Sequence, residues 1–380
     1  MCLTRLRMGI EESVKLPVLV WIHGGGGSGA GSDPIYDPSR LVLRSLDIGS
    51  PFIAVNLNYR LNIFGFAGSA DILNNQELAA TRGLNFGLYD QKVGLTWVAR
   101  NIAHFGGDPE QIALGGCSAG SISVHAHVLD AEGQAEKPLF RRALMQSGAQ
   151  LTLCPMPLAE VEVHWDKLCQ HWGVGAESTS RQKVESLRQI SAAALLESAI
   201  ENQAAILPPV ADGLTMTMET VAFPPVDLQQ EIKPVDYNPM EIMIGTTDVE
   251  EAGSFQGDID LKKVQEVFAK SYPTVEAGAQ VLEAYGIVEG SEQSALRAGL
   301  VRFLSDAKFD LPIHCTRVSL SARRRAEFGD ATSIQPYSVE FGNPFPGPKR
   351  GDAHHSVELI YLFDAFHDAL VNADNGIFKP

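Results

Sequence analysis

Gln111-Ile112-Ala113-Leu114-Gly115-Gly116-Cys117-Ser118-Ala119-Gly120-Ser121-Ile122-Ser123-Val124-His125 is the stretch whose reading decides the fold. It begins with a short apolar run, passes through G-x-S-x-G, and continues into helix-forming sequence. The order is strand, tight turn, helix. A serine at the centre of such a turn sits on strained backbone, and small residues at Gly116 and Gly120 let strand and helix approach closely. Its hydroxyl then projects above the sheet. G-x-S-x-G alone is a common string, and a glycine-rich turn with an incidental serine would predict no catalytic partners elsewhere in the chain.

Outward from this turn the pattern repeats. Pro17-Val18-Leu19-Val20-Trp21-Ile22 is a continuous apolar run, which reads as a strand buried on both faces. Shorter runs at 52–57, 112–114 and 242–244 read as further strands, and 89–102 and 121–129 as helices between them. Strand alternating with helix predicts an α/β fold with a mostly parallel central sheet and helices on both faces. Residues 155–205 and 261–304 change to helix-period apolar positions among Glu, Gln, Lys and Ser, which reads as helical cap insertions covering the sheet. No Pro/Gly/Ser-rich linker and no fixed-period repeat divides the chain, so residues 1–380 read as a single domain.

Composition narrows the function. The 46 acidic against 30 basic side chains give a net charge of −16, which repels phosphate backbones and argues against nucleic acid as a partner. No apolar run approaches the roughly 20 residues of a membrane span, and the first residues hold no hydrophobic stretch of signal-peptide length. The five cysteines (Cys2, Cys117, Cys154, Cys169, Cys315) form no cluster with metal-ligand spacing, so no metal is expected, and they leave the compartment open.

His23-Gly24-Gly25-Gly26 comes directly after the first apolar run. A glycine run after a buried strand lets backbone N–H groups approach an oxyanion with no side chain in the way. Gly25 and Gly26, with the N–H of Ala119 after the serine, are the candidate donors. The same stretch satisfies a dinucleotide fingerprint, Gly24-x-Gly26-x-x-Gly29, but that reading needs a helix at the glycines. The glycines lead instead into the turn-rich Ser32-Asp33-Pro34-Ile35-Tyr36-Asp37-Pro38, and the next run ends in Asn58-Tyr59-Arg60, with no acidic ribose ligand. No Lys-Ser/Thr pair completes a P-loop, so no cofactor is expected.

Over nearly its whole length the chain resembles the type-B carboxylesterase/lipase (cholinesterase-like) family. The matching stretches are Val20-Trp21-Ile22-His23-Gly24-Gly25-Gly26, Asn58-Tyr59-Arg60, Gly65-Phe66, Gly87-Leu88-Tyr89-Asp90-Gln91, Trp97-Val98, Phe105-Gly106-Gly107-Asp108-Pro109 and Met145-Gln146-Ser147-Gly148. The resemblance implies an α/β-hydrolase fold and a serine hydrolase with a Ser-Glu-His triad. It implies Ser118 as the nucleophile. It puts the acid at Glu250, five residues past Gly245, with Glu251 as the alternative. It selects His355 over His354, because His355 lies three residues before Glu358 and its apolar-aromatic run. Chemically, a serine hydroxyl becomes nucleophilic when a neutral imidazole takes its proton, and a buried carboxylate fixes that imidazole's tautomer. His125 and His127 read as packing or surface residues, not metal ligands.

Three features depart from the family's pattern. Cys117 stands where Glu is common, and losing that carboxylate disfavours a cationic substrate such as a choline ester; Cys117 itself reads as a small buried hydrophobe. Gly27 stands where an aromatic residue is usual, which predicts a more open or mobile pocket wall. The chain begins and ends inside the family's usual limits, so it is expected to be incomplete at both ends, lacking the first strands and the disulfide partner of Cys2, with an exposed sheet edge as the consequence. Members of the family are often secreted, and localisation and oligomeric state stay open. The expected function is hydrolysis of carboxylic esters through an acyl-serine intermediate, with a lipase as its variant. The alternative is a catalytically silent binding protein or a truncated inactive fragment.

Overall fold

Along strand β2 (Leu16–Ile22), Val18, Val20 and Ile22 pack into one apolar core while Leu19 and Trp21 pack into another. Side chains alternate across a strand, so this run is buried on both faces as its continuous apolar sequence requires. The chain is described from a computed structural model, covering residues 2–4, 14–77, 82–133, 138–204, 207–221, 240–255, 257–329 and 334–373.

Around β2 the sheet takes in β1 (Cys2–Thr4), β3 (Ile53–Leu57), β4 (Gly107–Cys117), β5 (Arg142–Gln146), β8 (Glu241–Thr247) and β9 (Ile334–Val339), in the spatial order β1-β3-β2-β4-β5-β8-β9. Every neighbouring pair is parallel except β1, which runs antiparallel to β3 with Cys2 opposite Asn56. Two-residue strands β6 (Met156–Pro157) and β7 (Val210–Ala211) pair apart from it. Helices Phe86–Asn101, Ala119–Gly133 and Leu311–Phe328 supply Leu95, Val98, Val124, Val128, Ile313 and Leu320 to the core on one face. On the other face, Leu359 and Phe363 of helix Val357–Phe363 pack with Trp21 and Tyr36.

The expected strands are present, and the differences have simple causes. The run at 112–114 is only the apolar middle of the eleven-residue β4, whose first half, Asp108-Pro109-Glu110-Gln111, is polar. Neither β5 nor β9 is expected from patterning. In β9, Gln335, Pro336 and Ser338 break the apolar run, and a proline that cannot donate to a ladder suits a strand paired on one side. The two helical blocks form as Leu158–His171, Ser180–Arg188 and Ala192–Glu201, and as Leu261–Ser271, Val275–Ala284 and Gln293–Ser305. Each block buries its apolar stripe largely within itself. Trp165, Leu168, Cys169 and Leu187 make one cluster and Phe268, Leu282, Ile287, Leu296 and Leu300 another, each separate from the sheet's core. An amphipathic stripe shows that a face is buried, not what buries it.

In parallel sheets the loops at the strands' carboxyl ends form the binding crevice. Here the glycine run comes after β2, Ser118 after β4, Glu250 after β8 and His355 after β9.

Candidate active site

Ser118 has a φ of +58°, the left-handed region that side chains rarely occupy. Surrounding contacts leave it little choice. A Cβ on Gly120 would fall 2.1 Å from the carbonyl oxygen of Ile22, and one on Gly116 would fall 2.6 Å from the Gly120 backbone. Both glycines of G-x-S-x-G are therefore places where backbones touch. The turn is also held from β5: Ser118 N–H donates to Gln146 O at 2.8 Å, and Ser121 Oγ donates to Gly148 O at 2.5 Å. The Gln146-Ser147-Gly148 string, a family marker in the sequence, thus buttresses the serine.

The glycine run lies against that serine. A Cβ on Gly24 would come within 2.4 Å of Cys117 O and 3.1 Å of Ser118 Cβ. Gly25, Gly26 and Gly27 have φ values of +98°, +58° and +90°, so three consecutive positions favour glycine, and an aromatic side chain at Gly27 would be strained. Gly25 O accepts from Ser28 N–H at 3.0 Å, while among the described residues no acceptor faces the N–H groups of Gly25 or Gly26. The N–H of Ala119, first residue of its helix, has no acceptor within the helix. Asn58 and Tyr59 hold the loop: Gly31 N–H donates to Asn58 Oδ1 at 2.7 Å, and Tyr59 Oη donates to His23 O at 2.8 Å with its ring stacked on the His23 imidazole. Burial keeps the His23 pKa low, so that ring stays neutral as a packing piece.

Beyond β8 the two acid candidates separate. Glu250 Oε2 lies 2.5 Å from His355 Nδ1, its side chain wholly buried while 27% of the His355 side chain is exposed. Glu250 Oε1 accepts from Thr247 N–H at 2.9 Å, which orients the carboxylate. Glu251 points elsewhere. It pairs with Lys308 Nζ at 2.6 Å and accepts from Ser254, and these partners hold its carboxyl below the usual range against the cost of burial. His354 Nδ1 turns to the carbonyl of His355 at 2.8 Å. The loop carrying His355 meets the serine's turn at adjacent residues, with Cys117 Sγ 3.2 Å from Ser356 Oγ.

A second buried carboxyl stands behind this pair. Glu358 serves in the sequence only as a spacing marker, but its Oε1 accepts from Cys117 Sγ at 3.7 Å and from Ser147 Oγ at 3.4 Å. Burial first, and the neighbouring Glu250 charge after it, push its pKa up to about 7. Burial likewise raises the Cys117 thiol, so Cys117 is a neutral buried group as the sequence suggested. His125 and His127, lowered to about 4 and about 3 by burial, are neutral packing residues bonded to Gln150 N–H and to Gln91. Among the described residues no His/Cys/Asp/Glu group could hold a metal, and no helix is long and apolar enough to cross a membrane.

Comparison with known proteins bears on the family and the fold. Residues 6–374 match the carboxylesterase family. Lipase 3 of Yarrowia lipolytica is 28% identical over 94% of this chain and 64% of its own length, and Lipase 5 of Diutina rugosa is 40% identical over 50% of this chain and 33% of its own. The chain therefore spans less than two thirds of either relative. A solved PNB esterase superposes with a TM-score of 0.67 at 23% identity, covering 97% of this chain and 69% of the other, and so shares its fold. The sheet is that of an α/β-hydrolase, and with the match running over nearly every residue, this chain belongs to the carboxylesterase family.

Proposed function

We propose that the protein hydrolyses carboxylic esters through an acyl-Ser118 intermediate within one catalytic domain. The observation that carries this reading is the 2.5 Å contact between His355 Nδ1 and the buried Glu250, on a loop that meets the strained Ser118 turn. His355 takes the Ser118 hydroxyl proton at Nε2 as Oγ attacks the ester carbonyl carbon. Glu250 keeps the proton on Nδ1 and stabilises the imidazolium as it forms. The N–H groups of Gly25, Gly26 and Ala119 take the oxyanion, a role supported by the approach of the glycine run to Ser118 and by donors whose position needs no reorganisation during reaction. Collapse expels the alcohol, which carries the proton from His355. Water, deprotonated by the same imidazole, then releases the acid and restores Ser118. No step calls for a cofactor.

The substrate class is a neutral ester, since Cys117 supplies no charge beside the nucleophile to attract a cation. Relatives named lipases bring lipid esters within it. The test is hydrolysis of short-chain p-nitrophenyl esters and of a triacylglycerol emulsion by the purified chain, beside covalent labelling with a fluorophosphonate. Turnover and labelling that vanish in Ser118→Ala support a serine esterase, and a steep gain on the emulsion would make it a lipase. A folded wild type that neither labels nor turns over would overturn the proposal in favour of a binding protein.

A further inference from the structure

Helices Gln293–Ser305 and Leu311–Phe328 are joined by a π-helical turn, Asp306–Asp310, in which Leu311 N–H donates to Asp306 O, five residues back. Such turns hold one residue more than an α-turn and occur mostly as single bulges, often where function needs them. At about 100° per residue, eight residues of regular helix would leave position 310 roughly 80° round from position 302. The wider turn takes up that offset, and Arg302 Nη2 reaches Asp310 Oδ2 at 2.7 Å.

The side chains so gathered grip the end of β8 and the loop after it at successive points. Thr246 Oγ1 donates to Asp310 Oδ1 at 2.6 Å, Arg302 Nη1 donates to Asp248 O at 2.8 Å, Glu251 N–H donates to Ser305 Oγ at 3.1 Å, and Lys308 holds the Glu251 carboxylate at 2.6 Å. Glu250 lies between the Asp248 and Glu251 anchors. The same turn puts Phe309, buried, with its ring centroid 4.8 Å from that of His355 and tilted 45° to it. Partly exposed ion pairs such as Lys308–Glu251 contribute little to stability, so four bonds on the end of β8 and the loop after it are a geometric device more than a stabilising one.

We propose that the π-helical turn Asp306–Asp310 positions the acid–base pair, fixing the Glu250 loop through Lys308 and Asp310 and the His355 ring through Phe309. These are positioning residues: they touch Glu250's loop and His355, and act through them. The proposal rests on the assignment of Glu250 and His355 above, and its test separates the two. The full chain carries Lys308→Met, Lys308→Arg, Phe309→Leu or a deletion of Ala307, which would return the turn to α-helical register. Each is assayed for kcat and KM on a short-chain p-nitrophenyl ester, with thermal midpoint alongside.

Lys308→Met and Phe309→Leu are expected to lose about tenfold in kcat with KM within about twofold, because misplaced groups cost transition-state stabilisation more than ground-state binding. Lys308→Arg, which keeps the ion pair, recovers most of that loss. The Ala307 deletion loses about a hundredfold or more. Should the deletion fail to fold, the Lys308 and Phe309 variants still decide. Wild-type kcat in both, or a change confined to KM or the thermal midpoint, would overturn the proposal. Ser118→Ala and His355→Ala run in parallel: if they still label with fluorophosphonate, the failure belongs to the triad assignment and not to the turn.

Discussion

The Ser118 turn and the Glu250–His355 pair are held by different means. Residues 116–120 form a turn whose strain is imposed by steric contact: Gly116 and Gly120 touch backbone within the turn and at Ile22, and replacing either closes a gap of a few ångströms. Glu250 and His355 are 105 residues apart in sequence and meet only because β8 and β9 lie side by side, with Val249 N–H bonded to Ala353 O at 2.9 Å. One feature is carved into a short string, while the other depends on the register of two strands and a helix turn behind them. The local feature should therefore fail through folding, and the distant one through rate.

The largest effect is expected from Glu250→Gln. It keeps the packing but can leave His355 in the wrong tautomer, and about 10⁴-fold in kcat should be lost with a near-unchanged thermal midpoint. Glu251→Gln should lose only about tenfold, the cost of a loosened loop. Equal losses in steady-state kinetics would mean that the two carboxylates are not divided as their contacts suggest.

Gly120→Ala breaks the other side of the comparison. A methyl group 2.1 Å from Ile22 O must drive the helix off β2, which should cost about 3 kcal/mol or more and appear as a lowered urea midpoint. A variant as stable as wild type would show that the elbow has room for a side chain after all.

The smallest effect sharpens the comparison through pH. Glu358 has its pKa raised from 4.5 in an unfolded reference to about 7 when folded. The folded state therefore favours its proton. The stability this confers is complete below about pH 4.5 and is lost as pH rises toward and through about 7. Glu358→Gln, which has no proton to lose, should keep its unfolding free energy better than wild type between pH 5 and pH 8, by an amount on the order of 2–3 kcal/mol at the alkaline end in urea titrations. Parallel curves for the two proteins would show that Glu358 does not titrate in that interval.

Much of this was legible beforehand. The β2 run, the G-x-S-x-G string and the glycine run each depend on neighbours in sequence, and their steric and hydrogen-bonding needs are written in residue type. The family markers Asn58-Tyr59-Arg60 and Gln146-Ser147-Gly148 were visible as strings but not as reasons, since Tyr59 acts on His23 and Gly148 on Ser118 across strands. Strand β9 is hard to read because an edge position tolerates Pro336, and the helical blocks are legible as amphipathic but not as to partner, because periodicity reveals a buried face without naming what buries it.

What the sequence determined by itself was therefore the α/β alternation, the serine at a turn that only glycines permit, and the glycine run directly after a buried strand. Tertiary structure decided the rest: that Glu250 and not Glu251 faces His355, that Glu358 is a buried neighbour with its pKa raised, and that a π-helical turn backs the loop. The physical reason is range. A turn's strain is settled within a few residues, but a carboxylate's direction, burial and charge depend on which distant groups the sheet order brings against it.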